Sequence, residues 1–252
     1  MTRIQRFLIV YSALLTLIFV LTTAAAIVKS AAPTNFDEIT VKKINVIEQD
    51  GTLRAVLSSS SGFNYGQRAE MGPVKIAGLM FYNEEGQETG GLVFRGRAIP
   101  GGQDAAVAMT FDQFRQDQNV YLHHEEHRDP NGLQIDDGLT VNARPDFANV
   151  QEEFQTYDSI NKMPPDKQDA ARLQAVQAGK IFARRLFFGV RRGVQDGRPY
   201  DDGGLFIKNK WGRDAIKIYV DEDNKPHLEF YDELGKSIVY DLKVTQPKKN
   251  SH

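Results

Sequence analysis

Residues 204–242 read GLFIKNKWGRDAIKIYVDEDNKPHLEFYDELGKSIVYDL, and this stretch sets the expected architecture. Short apolar–polar alternations occupy Leu205 to Lys208, Asp214 to Val220, His227 to Tyr231 and Ser237 to Leu242. Between them stand Asn209-Lys210-Trp211-Gly212, Asp221-Glu222-Asp223-Asn224 and Asp232-Glu233-Leu234-Gly235, each rich in turn formers. Alternation of that length between such breaks predicts half-buried antiparallel strands joined as a meander.

The same grammar recurs upstream. Phe36 to Glu48, the break Gln49-Asp50-Gly51 and Thr52 to Ser58 read as a hairpin, because Asp-Gly supplies the positive φ that a tight turn requires. Gly78 to Tyr82, Asn83-Glu84-Glu85-Gly86 and Thr89 to Phe94 read as another. Ala106 to Phe111 and Asn119 to His123 flank a polar connection anchored by Phe114. Leu133 to Ile135 and Leu139 to Val141 are expected to turn on Asp136-Asp137-Gly138. Ser58 to Gly72, Arg95 to Asp104 and Gly193 to Gly204 read as loops, the first of them mobile. Ile181 to Val190 is apolar on both faces, which suits a central strand.

One region departs from this pattern. Phe147, Val150, Phe154, Tyr157 and Ile160 recur at helical spacing, Pro164-Pro165 ends that run, and a second helix is expected over Pro165 to Ala178 with Gly179 at its cap. The fold class expected is therefore mainly β: an antiparallel hairpin and meander domain, sandwich or barrel-like, over 36–244. It carries a two-helix insertion at about 146–179.

Ahead of this domain, Arg3 and Arg6 precede 22 uncharged residues, Phe7 to Val28. As a helix at about 1.5 Å per residue that segment crosses a hydrocarbon layer of roughly 30 Å. Positive charge before it, with Asp37 and Glu38 beyond it, places the N-terminus in the cytoplasm and the body in the periplasm or outside the cell. The alternative is a secretory signal cleaved near Ala26, since Ala24-Ala25-Ala26 offers small residues for processing; the anchor is preferred because Ile27 and Val28 prolong the span. Residues 29–35 form a linker and 245–252 a polar tail.

Composition narrows the function. Without Arg3 and Arg6 the chain holds 29 basic and 33 acidic residues, a mildly acidic body that argues against nucleic acid as a partner. The absence of cysteine removes a disulfide framework, a thiol nucleophile and a lipid-modified cysteine. No Walker loop, dinucleotide fingerprint or nucleophile elbow is present.

Three groups of residues remain as site candidates. His123-His124-Glu125-Glu126-His127 contains H-x-x-E-H, which zinc peptidases place on a helix; Val120-Tyr121-Leu122 before it and Pro130 after it read instead as strand. On a strand, His123, Glu125 and His127 share a face and form a candidate site for a divalent metal, the sole cofactor class the sequence raises. Arg191 and Arg192, beside Arg184, Arg185 and Arg198, are candidate ligands for an anionic group. Asp221 to Asn224 opens like a calcium loop but breaks that spacing at Lys225, so a turn is expected.

The function expected is a non-enzymatic bacterial envelope module, held in the membrane through residues 7–28, that contacts an envelope protein or assembly. The alternative is binding or hydrolysis of a carbohydrate or cell-wall polymer by acidic loops between Glu125 and Asp137, with Asp112, Asp201 and Asp202 as further carboxylates.

Overall fold

The computed structural model describes residues 2–31, 35–60, 76–130, 132–146, 150–195, 197–233 and 235–238, with the side chains of 26–31 and 195 excepted. The expectations for Phe147, for most of the Ser58–Gly72 loop, for 32–34 of the linker, for Val239 to Leu242 and for the tail lie outside those residues. The chain divides into two units, Met1–Val41 and Lys42–His252.

In the first unit, α1 (Arg3–Ala31) contains an apolar stretch, Arg3–Ala25, long enough to cross a membrane; a signal sequence has the same character. The hydroxyls of Ser12, Thr16, Thr22 and Thr23 are satisfied within the helix. Thr16 donates to the Ser12 carbonyl at 2.9 Å and Thr23 to the Phe19 carbonyl at 2.6 Å, the arrangement that lets such residues sit in an apolar medium.

Among the described residues the second unit forms one antiparallel sheet of twelve strands whose spatial order is the chain order. The strands are β1 (Lys43–Ile47), β2 (Leu53–Ser58), β3 (Ala77–Tyr82), β4 (Glu88–Ile99), β5 (Gly102–Asp112) and β6 (Gln118–Asp129). After them come β7 (Gly132–Ala143), β8 (Ala183–Gln195), β9 (Arg198–Lys208), β10 (Asp214–Val220), β11 (Pro226–Tyr231) and β12 (Ser237–Ile238). Helices α2 (Val150–Asn161) and α3 (Pro165–Gln177) stand between β7 and β8, as the helical spacing predicts. The chain is thus mainly β, with its helical pair inserted midway along the sheet.

Repetition of one turn explains the meander. At Glu48, Asn83, Asn209, Asp221 and Asp232 the first turn residue accepts from the fourth residue's N–H and donates to the fifth residue's carbonyl. The fourth residue has positive φ: Gly51 90°, Gly86 72°, Gly212 77°, Asn224 60° and Gly235 78°. This is the hairpin geometry of a type I turn followed by a left-handed residue, whose twist matches that of the flanking strands. Side chains reinforce it, since Asn209 Oδ1 accepts from the N–H groups of Trp211 (2.9 Å) and Arg213 (3.1 Å).

The middle strands run longer than their alternation suggests. Arg95 to Asp104 is not a loop: β4 continues to Ile99 and β5 begins at Gly102, with Arg95 and Arg97 both ion-paired to Asp104 across the ladder. Residues 193–204 likewise belong largely to β8 and β9. Asp136-Asp137-Gly138 is not a turn but the middle of β7, with Asp136 facing both Glu125 and Arg191, and Asp137 facing both His124 and Val190. Gly138 lacks a positive φ and serves close approach instead. A Cβ there would lie 2.5 Å from the Phe188 carbonyl oxygen and 2.7 Å from the Phe187 ring. Residues 36–42, expected as strand, precede β1.

Because directly opposed residues project to one side of a sheet, the register gives two unlike faces. On one, Ile44 faces Leu57, and the row continues through Leu79, Leu92, Met109, Leu122, Leu139, Phe188, Leu205 and Ile218 to Leu228. A second apolar row on this face runs from Val46 through Phe81, Phe111, Val120, Val141, Leu186 and Ile207 to Phe230 and Ile238. The other face carries the buried side chains: Val56, Met80 and Phe187 are 2% exposed and Phe206 3%. A separate cluster, Ile160, Ala175 and Ile181, packs the two helices together with the chain entering β8.

Candidate functional site

The apolar face is the largest chemical feature of the sheet. Among its side chains Leu122 is 55% exposed, Phe188 60%, Phe111 54% and Ile218 49%. No apolar side chain of its two rows is buried, and neither row contains a charge. Apolar surface left in contact with water costs about 25 cal/mol per Å². Toward the tips of the long strands the face meets a polar margin. Here His124 Nδ1 lies 2.5 Å from Asp137 Oδ1, Arg192 Nε donates to Asp201 Oδ2 at 2.8 Å, and Gln103 donates to Glu126.

The opposite face gathers polar groups around aromatic rings. His123, Glu125 and His127 lie on one strand, β6, and so share this face. His123 is buried between Tyr121 (ring centroids 4.7 Å apart) and Phe187 (6.1 Å), with Nε2 3.2 Å from Thr140 Oγ1. Its Nδ1 has no hydrogen-bond partner among the described residues. Glu125 and Asp136 oxygens each stand 3.9 Å from a ring nitrogen. Burial pulls the imidazole below its ordinary value, and the two carboxylates oppose that pull. Among the described residues no three His, Cys, Asp or Glu side chains converge on one metal position.

Arg191 and Arg192 are separated by the same parity. Arg191 enters the aromatic face, its guanidinium carbon 3.9 Å from the Phe206 ring centroid and 5.5 Å from that of Phe187, a cation–π arrangement. Arg192 projects to the apolar side and pairs with Asp201. The two therefore do not clamp one anion together. A cleft of ≈240 Å³ beside Arg191 is lined by Arg95, Asp104, Glu125, Asp136 and Tyr200. Asp202 stands above its usual carboxylate range through burial, with Arg191 drawing it down. Asp221 behaves as turn chemistry: Oδ1 accepts from the N–H groups of Asp223 and Lys225, and Oδ2 lies 2.6 Å from His227 Nε2.

The group that alternation did not reveal holds the helices. Arg144, just past β7, donates from Nη1 to Glu153 Oε2 at 2.6 Å and from Nε to the Gln118 carbonyl at 2.9 Å, while its guanidinium stacks 4.7 Å from the Phe182 ring. The side chains of Arg144 and Glu153 are 4% and 2% exposed. Burial raises the Glu153 carboxyl, and Arg144 opposes this. A signal for it existed: Glu153 sits one turn before Tyr157 on the inward stripe of α2, where a carboxylate demands a partner. Beside this anchor a cleft of ≈730 Å³ is lined by Tyr157, Arg172, Phe182, Arg184, Lys208 and Trp211. Its carboxylate Asp214 is held below the usual range: burial would raise it, but the ammonium groups of Lys208 (2.5 Å) and Lys217 (3.0 Å) prevail.

Comparison of the chain with family models, curated proteins and solved structures returns no match.

Proposed function

We propose that this chain is a membrane-tethered, non-enzymatic envelope module that works by contact, and that the apolar face of its sheet is the contact surface. The observation that carries this reading is the pair of charge-free apolar rows, exposed or half-buried on every long strand. The apolar helix α1 supports a tether, with the sheet on the far side of the membrane from the N-terminus. The polar groups fit a supporting role. Asp104, Asp201 and Asp214 each stand in an ion pair, Asp137 meets the His124 ring, and His123 is enclosed by rings. The sandwich or barrel-like architecture belongs to the same proposal, since it needs either a second layer on the apolar face or a seam between β1 and β12.

Photo-crosslinking the full chain in its own membrane tests the reading. A photoreactive residue at Met109, on the apolar face, should yield protein adducts, and one at Ala108, on the other face, should yield few. Equal yields, or adducts to lipid alone from Met109, would overturn it.

A further inference from the structure

We infer that the occupant of the apolar face is a second copy of this chain, the two sheets packing face to face as a two-layer β-sandwich; this rests on the contact-module reading above. A sheet with one apolar side is stable in water only when another layer covers that side. Here the described apolar side chains of the whole face remain exposed or half-exposed, while the aromatic face supplies the buried ones.

Size argues for a self-pair. Twelve strands about 4.8 Å apart, with two rows about 6.8 Å apart, give an apolar area of roughly 800 Å² per copy, or about 1,600 Å² for two, inside the ~1,600 ± 400 Å² of stable specific interfaces. Shape and charge agree. A second copy presents an apolar strip of the same length and width, and because neither row bears a charge, superposing two copies brings no like charges together. The Arg192–Asp201 ion pair and the hydrogen-bonded His124–Asp137 pair satisfy polar groups of the margin within each copy, as the polar rim of an interface does. Leu122, in the central strand β6 and in the row that large apolar side chains fill from β1 to β11, falls near the middle of the face, where a two-fold axis sets it against its own counterpart.

The chain contains no cysteine, so a single introduced thiol reports alone. The full chain in mild detergent, carrying Leu122→Cys and treated with a short bis-maleimide, should cross-link to a second copy. Glu125→Cys on the opposite face should not. Sedimentation should give the unaltered chain the mass of two copies and Leu122→Glu the mass of one, with its β-sheet circular dichroism retained. If Leu122→Glu does not fold, the Leu122→Cys cross-link decides. A one-copy mass, together with joining of Leu122→Cys to a different protein in membranes, overturns the self-pair and leaves the contact reading standing. A one-copy mass with no protein adduct in membranes overturns both.

Discussion

Arg144→Ala offers a stringent test of how the helical pair is fixed to the sheet. The substitution strands the Glu153 carboxylate, 2% exposed, without the guanidinium now 2.6 Å away, and it strips the Gln118 carbonyl of a donor and Phe182 of a stacked cation. Removing one partner of a buried ion pair costs about 3–5 kcal/mol, because the remaining charge is left in a medium that solvates it poorly. The Gln118 bond adds on the order of 1 kcal/mol. Glu153 limits the loss by taking up a proton. Its carboxyl is already raised by burial and rises further without Arg144, so the deficit should be largest near pH 8 and shrink as the pH falls toward 5. Urea unfolding of the full chain in detergent, followed by the single tryptophan Trp211 at the edge of the helix-side cleft, measures this directly. A double variant, Arg144→Met with Glu153→Leu, should recover most of the stability, since two apolar groups leave no buried charge. The reasoning is refuted if Arg144→Ala costs under about 1 kcal/mol, if its deficit does not vary with pH, or if the double variant is no better than the single.

Three further outcomes follow from the same geometry. Asp112, raised to about 6 by burial and by Asp117 against the pull of Arg144, keeps its proton longer in the folded chain. Its ionisation therefore costs stability as the pH rises from about 4 to 6, by on the order of 1–2 kcal/mol after allowance for its partial exposure. Asp112→Asn should remove that slope from the urea midpoint, and an unchanged slope would contradict the assignment. Gly138→Ala places a Cβ 2.5 Å from the Phe188 carbonyl and should cost about 2–4 kcal/mol; a shift below 0.5 would mean the β7–β8 approach is looser than described. Asn209→Ala loses two backbone caps, and a fall of about 1–2 kcal/mol in the unfolding free energy would match them.

Much of the fold was legible because its turns are local. Asn83 to Gly86, Asn209 to Gly212 and Asp221 to Asn224 each carry the residue types the bend needs, and the strand ends that flank them were placed nearly to the residue. Asp136-Asp137-Gly138 carries the same letters for another reason. Its aspartates pair across β6 and β8, and its glycine admits the Phe188 carbonyl, neither of which is visible without knowing the neighbouring strand. The tips of β4, β5, β6, β8 and β9 were missed because charged residues and glycines interrupt the alternation there although the backbone ladder continues. That His123, Glu125 and His127 share a face followed from strand parity, and parity also divides Arg191 from Arg192. The apolar face was legible strand by strand as Leu79, Leu92, Leu122 or Ile218. Its continuity from Ile44 to Leu228 depends on the register that every turn imposes in succession, which no single window of sequence contains.

The most direct measurement is the maleimide reactivity of Leu122→Cys in native membranes, compared with the same chain dissociated to single copies by dilution. An apolar face that is covered at work and bare in isolation predicts slow labelling in the membrane and fast labelling after dissociation. Equally fast labelling in both states would show that nothing covers the face and would contradict the account.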